Sequence, residues 1–157
     1  IQERLSDLKS VEELSEEAFR LFFKERNKVK FFPFVLEEIE KLSQIYELGC
    51  LTNGNANIEM IGVDKFFKFN ISSKDVNANK PSRNHFEKAK ELLDVEKDEM
   101  LHVGDHKIND IHGAIDFGIK ALWFNPNNED WDIDGTEKPS EFDSWKGISE
   151  KISDLYN

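Results

Sequence analysis

Short apolar runs that each stop on turn-forming residues, with segments of helical period between them, constrain this chain more than any other feature. Leu48-Gly-Cys-Leu-Thr52 is followed by Asn53-Gly54-Asn55, Met100 to Val103 by Gly104-Asp105, and Ile119 to Phe124 by Asn125. Such runs read as buried strands ending in loops. Phe66 to Ile71 alternates enough to be a further strand, and Ser72 to Asn79 reads as a polar loop after it. From Val11 to about Val29, Leu14, Ala18, Leu21 and Phe22 fall three and four apart, the spacing of an amphipathic helix. Pro33 opens a second helical pattern through Leu36, Ile39 and Leu42, and a weak turn spans Ile58 to Val63. A further helix starts at Lys80-Pro81-Ser82 and runs through Phe86, Ala89, Leu92 and Leu93, and another near Ile108 to Phe117 stops at Gly118. A polar stretch then reaches about Glu141, before a short strand at Phe142 to Trp145 and a last helix to Tyr156. Strands alternating with helices predict an α/β fold, a parallel sheet covered by helices on both faces. Ligands of such sheets bind beyond the carboxyl ends of the strands. Thr52-Asn53-Gly54 and Gly104-Asp105 land there, and Lys80 can reach the same edge.

At 157 residues the chain has room for one principal domain. With 38% apolar residues and 13 Phe, it reads as globular rather than disordered. A formal charge of -11, spread along the chain, argues against nucleic-acid or anionic-membrane partners, although one local cationic site for a phosphate-bearing small molecule is compatible with it. No run reaches membrane-span length and no charged-then-apolar segment opens the sequence, so a cytoplasmic setting is expected. The lone Cys50, next to Leu51, reads as a small buried thiol.

The stretches LTNGN at 51–55, NKPS at 79–82 and HVGDHKIND at 102–110 carry the functional information. In this order and spacing they resemble the second, third and fourth motifs of the haloacid dehalogenase-like hydrolase superfamily. The likeness covers roughly residues 31–157 and is nearest to bacterial phosphatases of flavin mononucleotide and small sugar phosphates. It implies a Rossmann-like three-layer parallel sheet at 31–157 and, at 1–30, the remnant of a helical cap domain. It also implies a magnesium-dependent phosphatase that hydrolyses a small phosphorylated metabolite through an aspartyl-phosphate.

The residue types suit that chemistry. A phosphate monoester under attack accumulates charge on its equatorial oxygens, so the site must offer donors and cations fixed beforehand. Thr52 hydroxyl and the loop amides of Asn53 and Gly54 are candidate donors to one oxygen. Lys80, at a helix start, would offset charge on the phosphoryl group and the attacking carboxylate. Asp105 and Asp110 are hard oxygen ligands suited to Mg2+, which takes a few carboxylates together with waters and substrate phosphate. Each residue alone has a plainer reading: Thr52 and Asn53 as a strand-ending turn, Lys80 as a solvated lysine, Asp105 as a helix cap, Asp110 as an exposed acid. Their convergence on one edge favours the site. His102, His106 and His112 raise a zinc alternative, set aside because His102 lies in a strand and His112 on the next helix. Asn109 is a candidate to assist the metal shell.

Two departures from the family pattern bear on activity. The family's nucleophile is the first Asp of a DxDGT-like motif on a central strand, expected upstream of Ile1, so this chain is expected to lack its nucleophile and its first strand. It is therefore expected to be inactive alone. Asp132-Ile-Asp-Gly-Thr136 spells that motif, but loop formers from Asn125 to Trp131 precede it, so Asp132 and Asp134 read as a chance match. The missing strand is expected to leave two half-sheets with unpaired inner edges that invite self-association or pairing with another chain. Two rival readings stay open: a non-catalytic binding domain on this scaffold, and a metal-free haloacid dehalogenase. Dehalogenases of the superfamily usually carry a serine-asparagine type of fourth motif, which Gly104-Asp105 with Asp110 does not match.

Overall fold

The computed structural model describes residues 10–54 and 56–155. Its first element, α1 (Val11–Arg26), begins where the sequence period begins because Ser10 and Glu13 form a reciprocal capping box. None of its residues is buried, so the stripe of Leu14, Leu21 and Phe22 stays exposed. The helix α2 (Val35–Ile45) starts two residues after Pro33, because Phe34 takes a left-handed conformation at its N-cap. Then come β1 (Gly49–Thr52), α3 (Ile58–Ile61), β2 (Phe69–Ser72), α4 (Ser73–Val76) and α5 (Asn84–Leu93). The second half holds β3 (Leu101–Gly104), a π-helical turn at Lys107–His112, α6 (Gly113–Phe117), β4 (Lys120–Phe124), β5 (Ser140–Phe142) and α7 (Ile148–Asp154).

Several expected boundaries move, each for a local reason. The stretch expected as a strand from Phe66 begins instead with a 3-10 turn at Asp64–Phe66, and β2 pairs only from Phe69. The expected polar loop after it contains α4, because Asp75 accepts from both the amide and the hydroxyl of Ser72. The helix expected at Lys80 starts at Asn84, so Lys80 sits on the loop ahead of it and outside its first turn. The last short strand lies at Ser140–Phe142, earlier than expected. Tyr156, the expected end of the last helix, Asn55 of the first turn and the first nine residues of the expected cap remnant lie outside the described residues.

All pairings are parallel. The strand β1 pairs with β2 from Gly49 opposite Phe69 to Thr52 opposite Ser72, and β3, β4 and β5 form a second sheet in that order. Alternation along β4 sends Leu122 and Phe124 to one face, where they pack with Leu42 of α2 and with Ile148 and Ile152 of α7. On the opposite face Ala121 joins Phe86 and Ala89 of α5 and Ala114 and Phe117 of α6. Helices therefore cover both faces, and the chain has the three-layer α/β architecture expected of it. Between β1 and β3 runs an open cleft of about 1060 Å³, lined by both strands and by Leu42, Phe86 and Met100. Among the described residues the two sheets meet at this cleft without pairing, as the expectation of two half-sheets requires. No helix of the described residues is long and apolar enough to cross a membrane.

Candidate active site

The carboxyl ends of β1 and β3 face the same cleft, and each candidate residue is fixed there by a specific contact. At the end of β1, Thr52 Oγ1 accepts from the Gly54 amide at 3.0 Å, which folds the loop back over the strand. Asn53 turns its carboxamide onto Lys80, accepting from its amide at 2.6 Å and donating to its carbonyl at 2.9 Å. The Asn53 side chain thus works as a clasp between two loops. Behind the strand, His85 of α5 is fully buried and its Nε2 lies 3.3 Å from the Thr52 carbonyl. Burial pushes the His85 pKa down, so a neutral ring carrying its proton on Nε2 donates to that carbonyl.

Lys80 is buried, and its Nζ lies 2.7 Å both from the Leu51 carbonyl and from Asp110 Oδ1. It joins β1 to the turn that follows β3. The other oxygen of Asp110 accepts from the His106 amide at 3.1 Å, and His102 Nε2 stands 3.5 Å from Oδ1. Burial alone would raise the Asp110 pKa, but His102 and the Lys80 cation outweigh it and hold the carboxyl well below its ordinary range. Burial keeps the His102 pKa low in turn, which leaves Lys80 as the charge partner.

The approach of Asp110 to β3 depends on two backbone features. The turn at Lys107–His112 is widened, with the Ile111 amide reaching the His106 carbonyl at 3.3 Å, and such π turns re-aim side chains at functional sites. A Cβ on Gly104 would lie 2.4 Å from Asp110 Cβ, so only glycine leaves room at that position. Asp105 stands exposed beside it, with its backbone carbonyl held by Trp123 Nε1 at 3.0 Å. His106, not Asp105, caps the turn, its Nδ1 facing the amides of Ile108 and Asn109 at 3.3 and 3.1 Å.

The structure thus brings Thr52, Asn53, Gly54, Lys80, Asp105 and Asp110 to one cleft, with Asn109 on its wall. Asp105 and Asp110 both line this cleft, and among the described residues no group of three His, Cys, Asp or Glu can enclose an ion. Two carboxylates fit magnesium shared with water and substrate phosphate, and they do not fit a closed zinc site. Asp132 of the DIDGT stretch lies outside any strand, largely exposed, 3.2 Å from Lys107 Nζ. Reading the sequence missed His85 and the pairing of Asn53 with Lys80. A histidine beside Phe86 on an apolar helix face is a signal for the first, whereas nothing local marks the second.

Residues 1–124 match the family model described as haloacid dehalogenase-like hydrolase. The chain is 33% identical over 115 residues to 5-amino-6-(5-phospho-D-ribitylamino)uracil phosphatase YigB of Escherichia coli (strain K12), a match covering 71% of this chain and 48% of that protein. It is 37% identical over 84 residues to the glyceraldehyde 3-phosphate phosphatase of Pyrococcus abyssi (strain GE5 / Orsay), covering 50% of this chain and 35% of that one. The crystal structure of 2-haloacid dehalogenase from Pseudomonas syringae pv. Tomato DC3000 superposes with a TM-score of 0.86 at 32% identity, covering 97% of this chain and 66% of its own. The chain spans less than half the length of the two curated relatives.

Proposed function

The chain belongs to the haloacid dehalogenase-like hydrolases, and from that premise we propose that it supplies the phosphate- and metal-binding half of a magnesium-dependent phosphatase acting on a small phosphomonoester. The observation that carries this reading is the buried Lys80, whose Nζ joins Leu51 of β1 to Asp110 on the π-helical turn that follows β3. A fixed cation there faces the position where a phosphoryl group held by Thr52 would gather charge. Lys80 offsets that charge, Thr52 and the loop amides donate to a phosphoryl oxygen, and Asp110 keeps Lys80 in place. Asp105 and Asp110 would hold magnesium, which neutralises further charge on the transferring group.

In this reading the attacking carboxylate is carried by a strand inserted between β1 and β3, a slot that the described residues leave open. Its oxygen bonds to phosphorus as the ester P–O bond breaks, and the departing oxygen takes up a proton. Water then cleaves the acyl phosphate and releases inorganic phosphate. Residues 1–157 alone would bind phosphate without turnover, and their open inner edges would favour self-association. A cytoplasmic setting, where the single thiol of Cys50 needs no partner, belongs to the same reading.

The test is isothermal titration of inorganic phosphate into the chain, with magnesium or with EDTA, alongside a screen of small phosphomonoesters using protein that includes the inserted strand. Phosphate binding strengthened by magnesium and abolished in Lys80→Met is expected, together with magnesium-dependent phosphate release in the screen. The likeness to a 2-haloacid dehalogenase supports one rival, which predicts halide release from 2-haloacids unaffected by EDTA. Phosphate binding with no turnover of any ester by the strand-containing protein would favour the non-catalytic scaffold.

A further inference from the structure

The C-terminal end of α1 touches the candidate phosphate loop. Although α1 itself buries nothing, Asn27 just beyond it is buried. Its Nδ2 donates to the Phe23 carbonyl at 2.8 Å, and its Oδ1 accepts from the Asn57 amide at 2.7 Å. Asn57 in turn accepts from the Met60 amide at 2.8 Å to cap α3. The end of α1 is thereby latched to the segment that follows β1.

This latch sets Arg26 over Thr52-Asn53-Gly54. A Cβ built on Gly54 would lie 3.2 Å from Arg26 Nη2 and 3.4 Å from Thr52 Oγ1, so the guanidinium and the hydroxyl both come close to one point. Arg26 lines the same cleft as Thr52, Lys80 and Asp110. Among the described residues no carboxylate pairs with it, on a chain where 32 acids face 21 bases. Lys80 differs in being committed to Asp110.

We propose that Arg26 is a substrate-binding residue, its guanidinium taking the phosphoryl oxygens of an ester seated on Thr52. The assignment rests on the phosphatase reading above. Two oxygens of one phosphate can span the hydroxyl and the guanidinium, and the planar fork of arginine matches them where a lysine ammonium offers a single point charge. Lys80 then serves the cleft side of the phosphoryl group and Arg26 the side facing α1. An ester bound in this way is gripped by both elements, so α1 contributes to recognition.

The test is titration of inorganic phosphate, with magnesium present, into the full chain and its Arg26→Ala and Arg26→Lys variants, with a thermal melt of each. We expect Arg26→Ala to raise the phosphate Kd about tenfold or more and Arg26→Lys to recover part of the loss. The melting temperature should be unchanged, because Arg26 is exposed and, among the described residues, forms no ion pair. Arg26→Ala binding phosphate as tightly as the unaltered chain overturns the assignment while leaving the phosphatase reading intact. An unaltered chain that binds no phosphate overturns that reading, and the role of Arg26 with it.

Discussion

Two buried carboxylates in this molecule look alike and sit in different surroundings. Glu38 on α2 and Asp110 after β3 are each almost fully buried, each pairs with a lysine, at 2.8 and 2.7 Å respectively, and each is held well below its ordinary pKa. Glu38 takes Lys41 on one oxygen and the amide and hydroxyl of Ser149 on the other, so it staples α2 to α7 and presents nothing to a ligand. Asp110 gathers Lys80, His102 and the His106 amide at strand ends that open on a cleft. Burial and a low pKa therefore do not mark a functional acid. What distinguishes Asp110 is that its lysine is itself buried and lies beside the cleft onto which β1 and β3 open.

The strongest way to break this comparison is to remove each lysine. Lys80→Met should weaken phosphate-dependent activity of the strand-containing protein by roughly 100- to 1000-fold, the usual effect of losing one fixed donor to a charged transition state. It should also destabilise the chain by about 3–5 kcal/mol, since Asp110 is left buried without its partner. Lys41→Met should change phosphate affinity by less than a factor of about two, because Lys41 sits half-exposed on α2, away from the cleft. A large loss of phosphate binding in Lys41→Met would show that the two acids are not separable.

Gly104→Ala sharpens the comparison from the backbone side. The added methyl meets Asp110 within 2.4 Å, so the acid must move; a cost of up to about 3 kcal/mol in denaturant melts and a loss of phosphate affinity are expected together. Glu38→Gln should cost about 1–2 kcal/mol through its weakened bonds to Lys41 and Ser149 and leave phosphate affinity unchanged.

The smallest effect is in acid. Burial alone would raise the Glu38 pKa, but Lys41 and Ser149 bring it down from 4.5 to about 2. Its stabilising contribution is therefore fully present above pH 4.5 and is lost as pH falls towards about 2. Equilibrium unfolding followed across that window should lose stability less steeply in Glu38→Gln than in the unaltered chain. An unchanged slope would mean that other carboxyls, Asp110 among them, dominate acid unfolding.

Much of the candidate site was legible because its residue pattern is local. Thr52, Gly54, Asp105 and Gly104 are strand-end residues, and an apolar run followed by turn formers marks a strand end directly. Asp110, five residues beyond Asp105, was legible through motif spacing, while the π turn that aims it was not, because i to i+5 bonding leaves no pattern in residue type. Lys80 was readable as a residue near the cleft, but its clasp by Asn53 links positions 27 residues apart and follows only from the packing of the two loops. The stripe on α1 shows the opposite failure. Its period fixed the helix, yet nothing among the described residues covers its apolar face, since periodicity says which side seeks a partner and not whether one is present.

The sequence by itself determined the alternation of strands and helices, the parallel sheet they imply and the short motifs at two strand ends, because periodicity and turn chemistry act over a few residues. Only the tertiary structure decided that β1 and β3 face each other across an open cleft, that Lys80 links Leu51 of β1 to Asp110 on the turn after β3, and that Arg26 overhangs the loop after Thr52. Those contacts join residues far apart in the chain, and their energies depend on burial and distance, which no local pattern of residues encodes.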